Sequence, residues 1–308
     1  MGLPSECAEG AVNPVTSEGQ PLWSVIIPTR NRPLQLDTCL ESFSKLEYPR
    51  DRFEIVVVND GGDIDVADIL RKHSACVDVI SVRCEHRGPA AARNLGVRHS
   101  SGEMIAFTDD DCRVDPRWLC ALESAFKEQK HAMAGGKVVN QLSDNRYSRA
   151  SQALQDFLYH WYHEQRRGQL PFFTTNNLAI ARAEFDRIGG FDEAFIFASE
   201  DRDISDRAIV AGLDLVYAPD AVVEHAHELD LRQFLIQHFR YGQGAALFHA
   251  ARASRRKDRI RLEPAAFYRG MIKAPLASGG GALPALALLI ASQSASVLGF
   301  AHERARGA

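Results

Sequence analysis

The feature that most constrains the fold is an alternation of short apolar runs and helical patterns between residues 23 and 126. Four runs are apolar and mostly rich in β-branched residues, as buried strands are, at residues 23–27, 54–58, 77–82 and 104–107. The segments between and after them repeat apolar residues at helical spacing, as in Leu36, Cys39, Leu40 and Phe43. Apolar strands that alternate with helices form a parallel sheet covered on both faces. The sequence therefore predicts an α/β fold with a mainly parallel sheet.

The pattern changes after residue 130. We predict strands at 133–139, 174–180, 215–218 and 221–223, and helices at 147–165, 184–188 and 200–211, with a further amphipathic helix from Leu231. Three regions follow: a loose lead at 1–21 without the pattern of a secretory signal, a main domain at 22–228, and a helical, basic and partly apolar extension at 229–308.

Three consecutive carboxylates, Asp109, Asp110 and Asp111, follow the fourth predicted strand. Ligands of parallel sheets bind at the carboxyl ends of the strands, and crowded carboxylates are relieved by a hard divalent cation. Asp109 and Asp111 alternate along an extended segment, so they are predicted to point to one side and to hold Mn²⁺ or Mg²⁺. The simpler alternative is a solvated acidic turn.

Other strand ends and helix starts carry polar groups. Asp60, in Asn-Asp-Gly-Gly, is either part of an ordinary turn or an acceptor for the ring N–H of a base. Arg93 lies near a helix start rich in small residues and is predicted to pair with phosphate. Glu200 and Asp201 open a predicted helix, where acids are favoured by the dipole, and either can act as a general base.

The sequence leaves two interpretations open for His225 and for the Asn176-Asn177 pair. His225 is either a structural histidine after a strand or a third metal ligand beside two aspartates. Asn176 and Asn177 are either turn formers or partners of sugar hydroxyls. For Asp203 we predict an ion pair with Arg207, four residues further along the helix.

Six segments, in order between residues 25 and 207, resemble the family 2 glycosyltransferases of GT-A fold. They are VIIPTRNRP at 25–33, EIVVVNDGG at 54–62, GPAAARNLG at 88–96, IAFTDDDCRVDPRWL at 105–119, NNLAIARAEFDRIGGFDE at 176–193 and SEDRDISDR at 199–207. Two departures are Asn59, where a second acid is usual, and the middle aspartate, which lets Asp110 share or replace a ligand role.

The resemblance implies an inverting transfer from a UDP-, GDP- or dTDP-sugar to a hydroxyl, with Asp201 as the base beside Glu200. It implies a metal ion at the DxD aspartates, Asp109 and Asp111. The donor site it implies comprises Pro28, Thr29, Arg30, Asn31, Asp60, Arg93, Asn94, Asp109, Asp110 and Asn177. We expect the acceptor to be an envelope or lipid-linked glycan.

Rival functions differ in their phosphate loops. A sugar-1-phosphate nucleotidyltransferase or a dinucleotide oxidoreductase needs a glycine-rich loop after the first strand, where this chain has Pro-Thr-Arg-Asn-Arg-Pro. A non-catalytic domain that binds a nucleotide sugar or a glycan stays open. Six cysteines without a Cys-x-x-Cys pair favour reduced thiols and a cytoplasmic location.

The C-terminal extension differs in charge from the rest of the chain. Residues 250–308 contain ten basic and three acidic residues, so their net charge is +7 and that of the remainder is −11. Residues 282–301 have the length of a membrane span but include several polar side chains. The basic run at 252–261 and the apolar segment predict peripheral contact with an anionic membrane, such as the inner face of the plasma membrane, and no nucleic-acid partner. The alternative is a helical cap on the main domain.

Overall fold

The structure is a computed structural model, and it describes residues 22–306 except 75, 130, 165–170, 257–262 and 278–280. The predicted lead at 1–21 and the second half of the basic run at 252–261 lie outside the described residues. Within these described residues, eight strands form one sheet: β1 Trp23–Thr29, β2 Phe53–Asp60, β3 Val79–Cys84, β4 Met104–Phe107, β5 Cys112–Val114, β6 Ala132–Asn140, β7 Leu178–Ala181 and β8 Asp214–His225.

Helices connect and cover the strands. The α-helices in the described ranges are α1 Pro33–Phe43, α2 Ala67–His73, α3 Pro89–Arg98, α4 Trp118–Glu128, α5 Arg146–Tyr159, α6 Arg182–Arg187, α7 Glu200–Val210, α8 Leu231–Arg256, α9 Ala265–Ala277 and α10 Ala282–Arg306. Short 3₁₀ turns occupy Arg50–Arg52 and Thr175–Asn177, and a π-helical turn at His160–Glu164 continues α5.

The sheet has the strand order β3-β2-β1-β4-β7-β6-β8-β5. The first four strands are parallel, β7 is antiparallel to both of its neighbours, and β5 is antiparallel to β8. The predicted α/β class with a mainly parallel sheet is confirmed.

Alternate residues of β1 and β2 bury opposite faces of the sheet. Val25 and Val57 pack with α1, α2 and α4, whereas Ile26 and Val56 pack with α3, α6 and α7. Both faces are thus covered, which explains why the central residues of these strands, 25–27 and 55–58, are apolar on both faces. With both faces closed, the carboxyl ends of β1, β2 and β4 remain as the open edge.

Two strand predictions need correction. At 174–180 the chain first makes the 3₁₀ turn, stabilised by the Thr108 hydroxyl donating to the Asn176 carbonyl at 3.0 Å, and β7 begins only at Leu178. The two strands predicted at 215–218 and 221–223 are one strand, β8, whose pairing with β6 shifts register between Gly136 and Lys137. A β-bulge in the pairing accommodates the Pro-Asp pair that separates the two predicted strands. Helix α2 and strand β5 were not predicted.

The C-terminal helices pack closely on one another. A Cβ on Gly242 of α8 would lie 1.9 Å from the Ser296 carbonyl oxygen, and one on Gly299 of α10 would lie 1.9 Å from that of Phe239. The Ser296 hydroxyl also donates to the His238 carbonyl at 3.0 Å. Close backbone approach of this kind requires glycine at both positions. Helix α10 is therefore fixed against α8.

Candidate active site

A cavity of about 950 Å³ lies at the carboxyl ends of β1, β2 and β4. It brings together most of the residues predicted from the sequence: Pro28, Thr29, Arg30, Asp60, Arg93, Asp109, Asp110, Asp111, Glu200, Asp201 and His225. Asn31, Asn94 and Asn177 are not among the lining residues. Its other end is lined by α5, α8, α9 and α10, so the cavity joins the sheet to the C-terminal helices.

The middle aspartate, Asp110, is buried and well bonded. It accepts hydrogen bonds from the Thr29 hydroxyl at 2.7 Å and from Arg32 Nη1 at 3.1 Å. Burial raises the pKa of Asp110 to about 6, against the opposing charge of Arg32. Asp110 therefore links the β1 loop to the loop after β4.

The third aspartate pairs with the predicted histidine. His225 Nε2 lies 3.2 Å from Asp111 Oδ1, and Arg32 Nη1 lies 2.9 Å from Asp111 Oδ2. Burial opposes ionisation of both partners. Even so, the hydrogen bond with His225 and the charge of His225 lower the pKa of Asp111, and those of Asp111 raise the pKa of His225. The local cause is the pairing of β5 with β8, which places Cys112 opposite His225.

Within the described ranges, one group of three metal-binding side chains has all its ligand atoms within 4.8 Å of one another: Asp111, Cys112 and His225. Burial raises the pKa of the Cys112 thiol well above its usual range, and a neutral thiol is a poor ligand. Asp111 provides a carboxylate, a ligand type that suits Mg²⁺ and Mn²⁺, and His225 provides an imidazole, which binds divalent transition metals. The donor set fits a divalent cation.

Asp109 has a different partner from Asp111 and, among the described residues, is not in the group of metal-binding side chains that contains Asp111, which corrects our prediction that the two carboxylates act together. It accepts a hydrogen bond from Arg93 Nη2 at 2.7 Å, and Arg93 Nη1 donates to Glu200 Oε1 at 2.9 Å. Arg93 is buried between these two acids instead of facing solvent for a phosphate. The strand ends at Phe107, so the alternation expected of an extended segment does not continue through the three aspartates.

The two acids at the start of α7 differ in their surroundings. Glu200 is held by Arg93, whereas the Asp201 carboxylate accepts, among described residues, only the backbone N–H of Arg202 at 2.7 Å. Burial, together with the charge of Glu200, raises the pKa of Asp201 to about 7. A half-buried carboxylate with such a pKa, facing a cavity, is suited to accept a proton near neutral pH.

Asp60 organises the loop after β3. Its carboxylate accepts the backbone N–H groups of Arg87 at 2.8 Å and of Gly88 at 3.1 Å, and it lies 2.8 Å from His86 Nδ1. Arg30 Nη1 lies 3.3 Å from the other nitrogen of the same ring. Since Arg30 can only donate, His86 carries its proton on Nδ1 and donates it to Asp60.

The three asparagines outside the cavity support the fold. Asn177 is fully buried, accepts from Trp118 Nε1 at 2.9 Å and donates to two backbone carbonyls, so it has no group left for a sugar. Asn94 exchanges hydrogen bonds with the backbone of Phe191. Asn31, at a φ of 55°, accepts from the backbone of Asp63.

The arginines in the first part of the basic run form ion pairs inside the protein, which corrects the prediction that this run contacts a membrane. Arg255 bridges Asp203 at 2.7 Å and Asp206 at 3.0 Å, and Arg252 and Arg256 also pair with Asp206. The predicted Asp203 to Arg207 pair is confirmed at 2.7 Å. These ion pairs tie the end of α8 to α7, the helix that begins with Glu200 and Asp201.

Several lining residues were not assigned from the sequence. Arg32 lies directly after the Pro-Thr-Arg-Asn segment, so its position was a usable signal. Arg202 follows Asp201, and its guanidinium lies 4.7 Å from the centroid of the Phe172 ring. Arg240 and Tyr241 come from α8, where no local pattern indicates that they reach a site on the sheet.

A family model described as glycosyl transferase family 2 matches residues 24–191. The chain belongs to this family. All the cavity residues of β1, β2, α3 and the acidic loop lie inside the matched segment, while Asp201, His225 and the C-terminal helices follow it.

Curated relatives of this family 2 member are glycosyltransferases. The glycosyltransferase AglE of Haloferax volcanii is 28% identical over 228 residues, covering 73% of each chain. The pre-mycofactocin glycosyltransferase of Mycobacterium tuberculosis is 29% identical over 274 residues, 86% of this chain. Those residues are 52% of the mycobacterial protein, so the chain spans about half of that relative.

Solved structures share the fold. A mannosyltransferase from Pyrobaculum calidifontis, in complex with GDP-Man and Mn²⁺, aligns with a TM-score of 0.59 and 23% identity over 94% of this chain and 79% of that one. TarS 1–349 of S. aureus, in complex with UDP-GlcNAc, aligns with a TM-score of 0.54 and 17% identity over 92% and 91%. The family 2 domain therefore has the GT-A fold.

Proposed function

We propose that this chain transfers a sugar from a nucleotide-diphosphate sugar to a hydroxyl acceptor, with inversion at the anomeric carbon and Asp201 as the general base. One observation carries the proposal: Asp201, with a pKa raised to about 7 and no side chain bonded to its carboxylate among described residues, shares a cavity with the Asp111 and His225 pair. Family membership supports the reaction class.

Asp111 and His225 would hold the Mn²⁺ or Mg²⁺ ion of this site. When bound, such an ion stabilises negative charge on the departing diphosphate. Asp109 belongs instead to the support of Arg93, which keeps Glu200 in place beside the base. The ion bound to the Pyrobaculum mannosyltransferase, Mn²⁺, is in keeping with this cofactor class.

The nucleotide would lie along the β1 and β2 ends. Pro28, Thr29 and Arg30 line that part of the cavity, and Asp60 holds His86 and the following backbone in position. In this proposal Asp60 also accepts the ring N–H of the base. The two solved structures of the same fold contain GDP-Man and UDP-GlcNAc, which is in keeping with a nucleotide-sugar donor, and we propose a UDP-, GDP- or dTDP-sugar.

In the proposed chemical step Glu200 and Asp201 have different roles, because only Glu200 is paired with an arginine among the described residues. The acceptor hydroxyl attacks the anomeric carbon from the face opposite the diphosphate while Asp201 accepts its proton. Glu200 stays paired with Arg93, so its charge is neutralised in part and it does not compete for the proton. We propose a glycan or lipid-linked acceptor, for which the open end of the cavity toward the C-terminal helices leaves room.

We also propose a location at a membrane surface on the cytoplasmic side. Among described residues, one helix, Leu283–Arg306, is long and apolar enough to cross a membrane by length and composition, and 22% of its most apolar stretch is buried. Because the two glycines fix α10 against α8, the proposal is a helix that lies on the membrane.

Replacing the base tests the proposed function. We expect Asp201→Asn to lower the transfer rate roughly 10²–10⁴-fold, the contribution of a general base, while nucleoside diphosphate binding is kept. Release of nucleoside diphosphate from each candidate donor, with a cell-envelope fraction as acceptor, measures transfer, and a thermal shift measures binding. Asp186→Asn, an exposed change in α6, is the matched control. Transfer by Asp201→Asn at the control's rate would remove Asp201 from the mechanism.

A further inference from the structure

The lining of the cavity becomes more apolar with distance from the acidic residues. Beyond Asp201 its wall is formed by side chains of α5, α9 and α10 and of the segment before Thr174, including Phe157, Phe172, Phe267, Met271, Val297 and Phe300. These six side chains carry no hydrogen-bonding group, although Gln155 of α5 and Gln293 and Ser296 of α10 also line the cavity. Polar ligands lose free energy when they leave water for such a wall without new partners. This end is therefore suited to a hydrocarbon group.

The apolar wall begins beside the proposed base. The ring of Phe172 lies under the guanidinium of Arg202, the residue after Asp201, at 4.7 Å. The wall is also well packed, because Phe157 and Phe267 have ring centroids 5.2 Å apart and both pack against Trp161. An elongated molecule with a hydroxyl group at Asp201 would place the remainder of its chain in contact with these rings.

The apolar end opens at an apolar surface. Val297 lines the cavity and yet is 67% exposed, so it stands at the mouth. Ile290 and Leu283, seven and fourteen residues earlier on α10, are 58% and 81% exposed. Residues seven apart share one face of a helix, so these three form a stripe about 21 Å long. The chain has no Asp, Glu, Lys or Arg between Ala274 and His302.

The stripe is held in place relative to the mouth. Helix α10 approaches α8 through Gly242 and Gly299, and the Gln243 side chain donates to Glu303 at 3.0 Å. Large exposed apolar surfaces on soluble proteins mark interaction sites. The length of the stripe and its lack of charge fit the acyl layer of a membrane. With the stripe in that layer, the mouth of the cavity would face the lipid.

We infer that the acceptor is an amphipathic lipid, whose hydroxyl-bearing head group lies at Asp201 and whose hydrocarbon tail runs past Phe267 and Met271 and leaves at Val297. This inference rests on the proposed function and deepens it. In the reaction the acceptor oxygen forms a bond to the anomeric carbon, the bond from that carbon to the diphosphate oxygen breaks, the proton passes to Asp201, and nucleoside diphosphate leaves with the electron pair.

Alkyl glycosides of fixed head group and increasing tail length, below their micelle concentration, are the probe. We expect affinity, measured by calorimetry with nucleoside diphosphate and Mn²⁺ present, to rise roughly tenfold from octyl to decyl, as burial of two methylenes provides. Val297→Glu should abolish the dependence on length. Leu298→Glu is the matched control, since Leu298 is exposed on the same helix but does not line the cavity.

Equal affinity for methyl and decyl glycosides, or the same length dependence in Val297→Glu, would overturn the inference. Loss of the dependence in Leu298→Glu as well would do so too, because it would indicate binding to the outer surface only. The thermal shift caused by nucleoside diphosphate and Mn²⁺ in the same samples separates the two proposals. If that shift persists without a tail effect, the lipid acceptor alone is wrong; if the shift is absent, the donor site is wrong.

Discussion

The acidic end of the cavity and the C-terminal helices differ in how their side chains are placed. At the acidic end, Asp60 is the last residue of β2 and the Asp109–Asp111 loop begins two residues after β4 ends, so chain order alone brings them to one edge. In α8 and α10 the arrangement depends on tertiary packing: Arg255 points inward to α7, and Ile290 points outward. Basic residues on a helix therefore indicate an exposed surface only where no buried acid lies within reach of their side chains.

The two regions meet in α7. Its first turn carries Glu200 and Asp201 toward the cavity, while Asp203 and Asp206 face the arginines of α8. Asp203 and Asp206 are both buried, and buried charges need partners. We therefore expect changes in the C-terminal helices to affect the stability of the catalytic helix, and the following predictions test this link.

The largest effect is expected from Asp206→Ala. This change leaves Arg252, Arg255 and Arg256 without their shared carboxylate, so the free energy of unfolding should fall by about 2–3 kcal/mol, somewhat less than for a fully buried pair because the arginines are partly exposed. Chemical denaturation measures it. Asp220→Ala, at an exposed position in β8, should change it by about 0.5 kcal/mol at most. Equal values for both variants would show that the arginine cluster does not couple α8 to α7.

A smaller effect is expected from Ile290→Glu, which places a charge in the apolar stripe. Binding of the full chain to phospholipid vesicles, measured by flotation, should weaken roughly tenfold or more, as loss of one buried aliphatic side chain requires. Val210→Glu is the control, since Val210 is 56% exposed at the end of α7 and off the stripe. If both variants float like the unmodified chain, the C-terminal helices are a cap and not a membrane surface.

The smallest effect is a shift in pH dependence. The base must be ionised to act, so kcat/KM should rise with pH through about 7 and fall below it. The charge of Glu200 contributes to the raised pKa of Asp201, so Glu200→Gln should move this limb to lower pH. An unmoved limb would mean that another group titrates there. Asp186→Asn again provides the unshifted reference.

Much of the fold could be predicted because it depends on local patterns. Strand β4 has the predicted bounds, and the ion pair between Asp203 and Arg207 follows from helical spacing. Strand ends also brought the predicted cavity residues together. The errors lie where the backbone leaves regular structure, as at the Asp109 turn and at the bulge in β8.

Other features could not be predicted because they depend on contacts far apart in the chain. Asn177 is polar and close to the cavity in sequence, but the indole N–H of Trp118 and two carbonyls use all of its amide. Arg93 looked available for phosphate, and only the fold places Asp109 and Glu200 on either side of it. The sequence shows which hydrogen-bond donors and acceptors are present, but it does not show which of them are in contact in the fold.

The metal-dependent nucleotide-sugar site proposed at the acidic end can be tested with a thermal-shift series that uses UDP, GDP, CDP, dTDP and NAD, each with and without Mn²⁺. At about a hundred times its dissociation constant the right nucleotide adds roughly 2.7 kcal/mol of stability. We expect stabilisation by one nucleoside diphosphate, only with Mn²⁺, and loss of this stabilisation in Asp111→Asn. Stabilisation by no nucleotide, or an equal shift in Asp111→Asn, would contradict the proposed site.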